Sequence, residues 1–453
     1  MSDLFASYEA ALAYLTESTD YERMRRVRYN SDTFDLKRIE ALAGAVGRPD
    51  RRFRSIHVAG TKGKGSTSAM AEAILRGHGL RTGLFTSPHL VDLRERIQID
   101  GRLVERDLMR RAAGRVAEAV GRGLDAGPPT FFEMMTAVAF LCYVEAGVDV
   151  AVVETGLGGR LDSTNILMPE VAVITSISID HTFQLGRDLA SIAREKAGII
   201  KAGVPVVLSP QPSEAEEVLL ATAAERGSPP IRVGSDVHRE WRKAFLGDQP
   251  AGRISVRTPR RNYPDVDLPL GGRVQADNAA CAIAAAEIVL GDAMNGETTR
   301  RALAAVHWPG RMQAVRLPAP MACPLNVTVL VDGAHNADSL RRLLDAVSEY
   351  YPDRAAVGLF AAASDKDIDG MMHVLAEAAL QVVFTKTSNP RAAEPDDLAA
   401  RLRAVGGRAA GGAPDWPAAL PQACALLAPC GGVVVICGSL YLVGDILATV
   451  SDA

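Results

Sequence analysis

The sequence predicts an α/β protein: a P-loop-type, mostly parallel sheet domain followed by a second, smaller Rossmann-like α/β domain. Three observations predict it. Short runs of Val, Ile and Leu recur along the chain, each followed by a turn and an amphipathic helical segment. A glycine- and lysine-rich loop stands between the first such run and a strong helix former. A proline-bearing stretch near Pro309 interrupts the rhythm, which then restarts.

The runs are Ser55–Ala59, Val148–Val153, Val171–Ile179, Val204–Leu208, Val327–Val331, Ala356–Phe360, Val382–Thr385 and Val433–Cys437. Continuous β-branched runs bounded by turns suit strands covered on both faces, as in a parallel sheet. Their alternation with helices implies right-handed crossovers. Ser209 to Leu268, rich in proline and charge, reads as a loop-rich excursion with a few antiparallel strands. Trp308 to Pro324 holds Pro309, Pro318, Pro320 and Pro324 and reads as a linker. The expected domains are residues 1–308 and 309–453. No repeat or low-complexity tract is visible.

With 453 residues, 48% hydrophobic and 23% charged, the chain has ample core for two or more domains and is not dominated by disorder. Fifty basic against 54 acidic residues leave a net charge of −4, which argues against a nucleic-acid coat. No apolar run approaches the ~20 residues of a membrane span, and the N-terminus lacks the layout of a signal peptide. A cytoplasmic protein is expected. Its six cysteines have no Cys-x-x-Cys spacing and read as reduced, mostly buried thiols, with no disulfide or zinc framework.

The first chemical signal is Gly60-Thr61-Lys62-Gly63-Lys64-Gly65-Ser66, between Ser55–Ala59 and the helix former Ala69–Arg76. Glycines let backbone N–H groups approach phosphate oxygens, and the helix N-terminus adds partial positive charge. Lys64 supplies a point charge for terminal phosphates, and Ser66 or Thr67 a hydroxyl. The strict Gly-x-x-x-x-Gly-Lys-Ser/Thr pattern fails, because positions 58 and 65 are Val58 and Gly65. A nucleoside triphosphate site remains the better reading than a plain tight turn. Glu154-Thr-Gly156-Leu-Gly158-Gly159 is not a dinucleotide fingerprint, since Leu161 stands where a third glycine is required.

Polar groups recur at strand ends, where ligands of open α/β sheets gather. Glu154 follows Val148–Val153 and can hold Mg²⁺, a hard cation that favours oxygen ligands. Asp180-His181 follows the next run, and Asp332-Gly-Ala-His335-Asn336 follows Val327–Val331. Ile192 to Gly203 reads as a helix ended by glycine, and spacing alone makes Lys196 and Lys201 surface cations.

Together these strings resemble the folylpolyglutamate synthase and dihydrofolate synthase family of the Mur ligase superfamily. The resemblance extends to Phe85-Thr-Ser87-Pro-His89-Leu, Thr130-Phe-Phe132-Glu, Glu154–Asn165, Lys196-Ala-Gly-Ile-Ile-Lys201, Gln275-x-x-Asn278, Pro309-Gly-Arg311 and Gly438-Ser-Leu-Tyr441, nearly the whole chain. It implies ATP-driven amide ligation: a substrate carboxylate takes the γ-phosphoryl group, and the amine of L-glutamate displaces phosphate. By resemblance, Gly60, Thr61, Lys62, Gly63, Lys64, Gly65, Ser66, Asn278, Arg311, Asp332 and His335 would bind ATP. Ser87, Glu154 and His181 would bind Mg²⁺. Lys64, His181 and Lys196 would be catalytic, with Lys196 carbamylated as in relatives. Thr130, Phe132, Leu161 and Asp162 would lie beside the pterin. Many relatives carry Asn where this chain has Lys62. The expected partners are dihydropteroate or a reduced folate and L-glutamate, for a monomer without nucleic acid or membrane. The alternatives are a cell-wall Mur ligase and a non-catalytic nucleotide-regulated switch, the latter disfavoured by the lack of an Asn-Lys-x-Asp string.

Overall fold

A computed structural model describes residues 4–19, 35–179, 185–186, 188–319, 321, 323–428 and 430–451. The first sheet is built from β1 (Arg54–Ala59), β2 (Thr82–Phe85), β3 (Ile97–Ile99), β4 (Arg102–Leu103), β5 (Val150–Glu154), β6 (Val171–Ile174), β7 (Val206–Leu208) and β8 (Pro230–Arg232). Its order is β4-β3-β2-β5-β1-β6-β7-β8. Every pairing from β2 to β8 is parallel, and β3 and β4 add an antiparallel edge. Beyond the exposed Arg54 that opens β1, the central strands β1, β5 and β6 are buried, so both faces are covered and the sequence shows Val/Ile-rich runs.

The helix Lys64–Gly77 is covered on all sides, with every residue from Ser66 to Leu75 buried. One cover is the helix Val274–Leu290, which packs with it in a core shared with β1, β5 and β6. That second helix, extended to Ala293, is long and apolar enough to cross a membrane by length and composition, which corrects the expectation that no apolar run approaches a membrane span. Its apolar girdle has another cause: most of it is buried against the sheet and neighbouring helices.

Between the two large sheets, β9 (His238–Leu246), β10 (Gln249–Arg257) and β11 (Asn262–Leu268) form the expected antiparallel excursion. The same region also holds a helix, Ser213–Glu225, that was read as loop. Its first turn carries Glu214 and Glu216, favourable at a helix N-terminus, and only Ala215, Leu219 and Ala223 are buried. So narrow an apolar stripe leaves little periodic signal.

The second sheet contains β12 (Gln313–Val315), β13 (Val327–Val331), β14 (Ala356–Phe360), β15 (Gln381–Phe384), β16 (Arg408–Gly412) and β17 (Gly432–Cys437). The order is β12-β13-β17-β14-β15-β16, parallel except for the edge strand β12. The stretch read as a linker thus contains a strand, and the residues after it form the loop from β12 to β13. Gln249 of β10 ties this edge to the excursion, donating to Met312 O (3.0 Å) and accepting from Ala314 N (3.0 Å).

The six cysteines are free thiols, and Cys142, Cys281, Cys424 and Cys437 are buried, as expected. One pairing was not legible. Cys323 and Cys424 lie with their sulfurs 2.8 Å apart.

The two large sheets meet where the last helix, Leu440–Ser451, crosses the loop after β2. A Cβ at Gly444 would stand 2.2 Å from Leu90 O, so the contact requires glycine. Gly444→Ala should push the sheets apart while sparing each core. We expect activity to fall at least tenfold and stability by about 1–3 kcal/mol, an overpacking cost. Steady-state turnover and urea unfolding check this; full activity in that variant would refute the close approach.

Candidate active site

The site begins with strand register. Val58 of β1 lies beside Glu154 of β5, so the loop leaving β1 passes the carboxylate ending β5. The loop is drawn tight: Thr61 N and Lys62 N both donate to Ser176 O, at 2.9 and 3.1 Å. Glycine is required at two of its positions. A Cβ on Gly60 would lie 1.8 Å from Thr175 Oγ1, and one on Gly63 (φ 89°) would lie 2.3 Å from Asn278 Oδ1. The helix Lys64–Gly77 then starts at the loop's end, with its N–H groups directed at the cleft.

Lys64 Nζ stands 3.5 Å from Glu154 Oε1. Burial raises the Glu154 pKa above the ordinary carboxylate range, while Lys64, the Ser87 backbone and Arg311 pull it back. Glu154 Oε2 is buried with no protein partner among the described residues. A carboxylate oxygen in that state, with the hydroxyls of Ser66 and Ser87 on the same cavity wall, fits a hard divalent cation. Among the described residues no three His, Cys, Asp or Glu side chains cluster. Such an ion favours oxygen ligands, which water and phosphate also supply.

The second sheet supplies the facing wall. Asp332, at the end of β13, accepts from Met312 N and Ala334 N, each at 2.8 Å. Its pKa is raised by burial and lowered by the nearby Arg311 guanidinium. Arg311 donates to Gly310 O at 2.8 Å. His335 holds Gly333 O at 2.8 Å through Nδ1, just before the capped helix Ala337–Tyr350.

Thr130 caps the helix Phe131–Ala146, whose Glu133 returns the contact and pairs with Arg38 at 3.0 Å. Phe132 presses on Gly156, where a Cβ would meet its ring at 2.5 Å. The Asp162 carboxylate is engaged by its own loop, accepting from Leu157 N, Thr164 N and the Thr164 hydroxyl.

One cavity of about 1300 Å³ unites these walls. Thr61, Lys62, Gly63, Lys64, Gly65, Ser66, Ser87, Thr130, Phe132, Glu154, Leu161, Asp162, Asn278, Arg311, Asp332 and His335 all line it. Gly60 and Lys196 line a small adjoining cavity of about 30 Å³, which Thr61 and Lys64 share. Lys196 is 3% exposed and donates to Gly60 O at 2.7 Å, so it is no surface cation. Lys201 is also partly buried, donates to Asn165 O, and has its pKa pushed down to about 8. His181 and Asp180 lie outside the described residues.

Sequence reasoning missed several lining residues. Arg342, Lys366, Asp365 and Arg391 reach the cavity from the second sheet's loops and helices. Their only sequence signal was charge, which on a helix or loop reads as solvated surface. Trp308 lies over Gly65, where a Cβ would meet its ring at 2.8 Å.

Family models match in the same order as these walls: the Mur ligase middle domain over residues 58–286 and the Mur ligase glutamate ligase domain over residues 310–440. The dihydrofolate synthase/folylpolyglutamate synthase of Mycobacterium tuberculosis is 37% identical over 386 residues, 80% of this chain and 76% of that protein. The chain belongs to the Mur ligase family, in its folylpolyglutamate and dihydrofolate synthase branch. It is an ATP-dependent ligase. A Mycobacterium tuberculosis folylpolyglutamate synthase complexed with ADP and AMPPCP superposes on this Mur ligase with a TM-score of 0.81, at 34% identity, over 91% of this chain and 94% of that one. An FPGS–AMPPCP–folate complex superposes at 0.77 and 29% identity, over 97% of this chain and 98% of that one.

His57, beneath the phosphate loop, is fully buried and bonded to Thr164 Oγ1 at 2.8 Å. Burial, with Lys201 nearby, lowers its pKa to about 3. Between pH 3 and 6.5 the unfolded chain therefore binds a proton that the folded ligase refuses, and stability rises with pH across that window. His57→Gln should remove this share, worth at most about 1.4 kcal/mol per pH unit. Urea unfolding at pH 5 and 7.5 checks it: parallel slopes for the two proteins would contradict a neutral buried imidazole.

Proposed function

We propose that this ligase joins L-glutamate to the carboxylate of a pterin or folate, as a folylpolyglutamate synthase and also as a dihydrofolate synthase. The observation that carries the reading is the single cavity: phosphate loop, unpartnered carboxylate oxygen and second-sheet groups Arg311 and Asp332 all face it. A carboxylate is a poor electrophile, so the γ-phosphoryl group of ATP must first be transferred to it. The resulting acyl phosphate loses phosphate when the glutamate amine attacks.

In this proposal residues 1–308 and 309–453 act as two domains, the second bringing glutamate and closing over ATP. Closure excludes water, whose attack on the acyl phosphate is the competing reaction. The loop Gly60–Ser66 holds the phosphates through the backbone N–H groups of Gly63 to Ser66 and the Lys64 ammonium, the Thr61 and Lys62 N–H groups being committed to Ser176 O, and Asn278, Arg311, Asp332 and His335 meet the rest of the nucleotide. Glu154 and Ser87 would hold Mg²⁺, which neutralises phosphate charge when bound. His181 joins them by resemblance alone. Thr130, Phe132, Leu161 and Asp162 form the pterin neighbourhood, with Asp162 shaping the loop through its backbone contacts.

Lys196 carries the least usual proposal. An ammonium buried beside a divalent ion is repelled by it, and addition of carbon dioxide to the neutral amine, with release of the protons to solvent, converts the group to a carbamate anion. The small cavity at its side supports an added group, and a carbamylated nitrogen keeps one N–H for the Gly60 carbonyl. The reading takes the protein as a cytoplasmic monomer acting on small molecules.

Product mass spectrometry with ATP, Mg²⁺ and glutamate tests the substrates. Dihydropteroate and tetrahydrofolate, supplied separately, should each gain one glutamate; a UDP-linked muropeptide should gain none. Turnover of the muropeptide alone would sink the folate assignment. Lys64→Ala should lower turnover by at least 10³-fold, because it removes a preorganised charge at the transferring phosphoryl group. Glu154→Gln should raise the Mg²⁺ concentration needed for half-maximal rate about tenfold or more, read from a metal titration.

A further inference from the structure

The thiols of Cys323 and Cys424 lie 101 residues apart in sequence and in direct contact in space, with Sγ···Sγ 2.8 Å. Cys323 sits, partly exposed, in the loop from β12 to β13, four residues before β13 begins. Cys424 is near the C-terminal end of the helix Trp416–Leu427, buried against β13, β14 and β17 in the same apolar cluster. Neither lines the cavity, which opens at the other ends of β13 and β17 through Asp332 and Gly438. The pair is therefore separate from the ligase chemistry.

We propose that Cys323 and Cys424 are a reversible oxidation site, forming a disulfide when a peroxide reaches the exposed thiol. Cys323 attacks the peroxide O–O bond, giving a sulfenic acid and releasing water or an alcohol. The Cys424 thiol then displaces the sulfenic oxygen as water. Two S–H bonds break and one S–S bond forms, and the two electrons and two protons go to the peroxide. A dithiol reductant reverses the change. Cys323 is the more exposed of the two, so it is the sulfur a peroxide reaches first, with the buried Cys424 in contact to resolve it. The contact distance means that bond formation asks for little backbone movement.

The cross-link has a mechanical consequence. It ties the proline-bearing loop to the helix behind the second sheet, and so secures the edge strand β12, which begins two residues after Arg311. Closing so long a loop restricts the unfolded chain strongly.

Treating the full-length protein with hydrogen peroxide, blocking free thiols with N-ethylmaleimide and digesting it tests the proposal. We expect a Cys323–Cys424 cross-linked peptide in the wild type and in Cys430→Ser, the latter removing the other exposed thiol. It should be absent in Cys323→Ser, whose circular dichroism should match that of the wild type. The oxidised wild type should melt several degrees above the reduced protein, dithiothreitol should erase the difference, and Cys323→Ser should show none. A Cys323–Cys430 cross-link, over-oxidation of Cys323 without pairing, or equal melting of the two wild-type states would each overturn the proposal.

Discussion

The Lys64–Glu154 pair is the contact on which the cleft depends. Glu154 ends β5 and Lys64 opens the helix after the loop that leaves the neighbouring β1, so the Val58–Glu154 register brings the two within 3.5 Å. A buried carboxylate without a cation is costly, and a lysine without an anion beside a helix N-terminus is little better. Each therefore holds the other in place. The free oxygen of Glu154 and the free face of the loop remain directed at the cavity. ATP chemistry needs that arrangement: charges of both signs, fixed in advance, in a cleft where they are not diluted by water.

Around this pair, glycine serves close packing more than flexibility. Gly60 meets Thr175, Gly63 meets Asn278, and Gly65 fits under Trp308. The block Gly156–Gly159 follows the same rule. A Cβ on Gly159 would strike the backbone carbonyls of Glu195 and Lys196, and one on Gly198 would strike Arg160. Asn165 bridges the crossing by donating to Arg160 O and Gly198 O, and Arg160 pairs with Glu195. This crossing sets the helix Leu189–Ala197 against the loop and puts Lys196 beneath Gly60. A string that looks like a dinucleotide fingerprint is a junction between two backbones.

The cavity belongs to neither large sheet alone. Arg311 and Asp332 come from the second sheet and its entrance, and the glycine contact at Leu90 holds the two sheets in register. A shared cleft of this kind lets binding energy from both halves act on one reacting centre.

The order of elements was readable because strands covered on both faces must be apolar along their whole length. All eight runs became strands of the two large sheets, with boundaries shifted by a few residues. The glycine- and lysine-rich loop was readable because glycines clustered between a strand and a helix former mark a tight, closely packed turn at a helix N-terminus. Depth was not readable. Lys196 looks like a surface cation until the crossing at Gly159 buries it, Lys201 is half-covered against Asn165, the acidic helix Ser213–Glu225 hides its narrow stripe, and β12 sits among prolines. Nor was distance across the chain: Cys323 and Cys424 come into contact, and Arg391 comes to line the same cavity as the loop Gly60–Ser66, only when the second sheet folds and docks. Local pattern records what each segment must cover, whereas burial and long-range contact are properties of how segments meet.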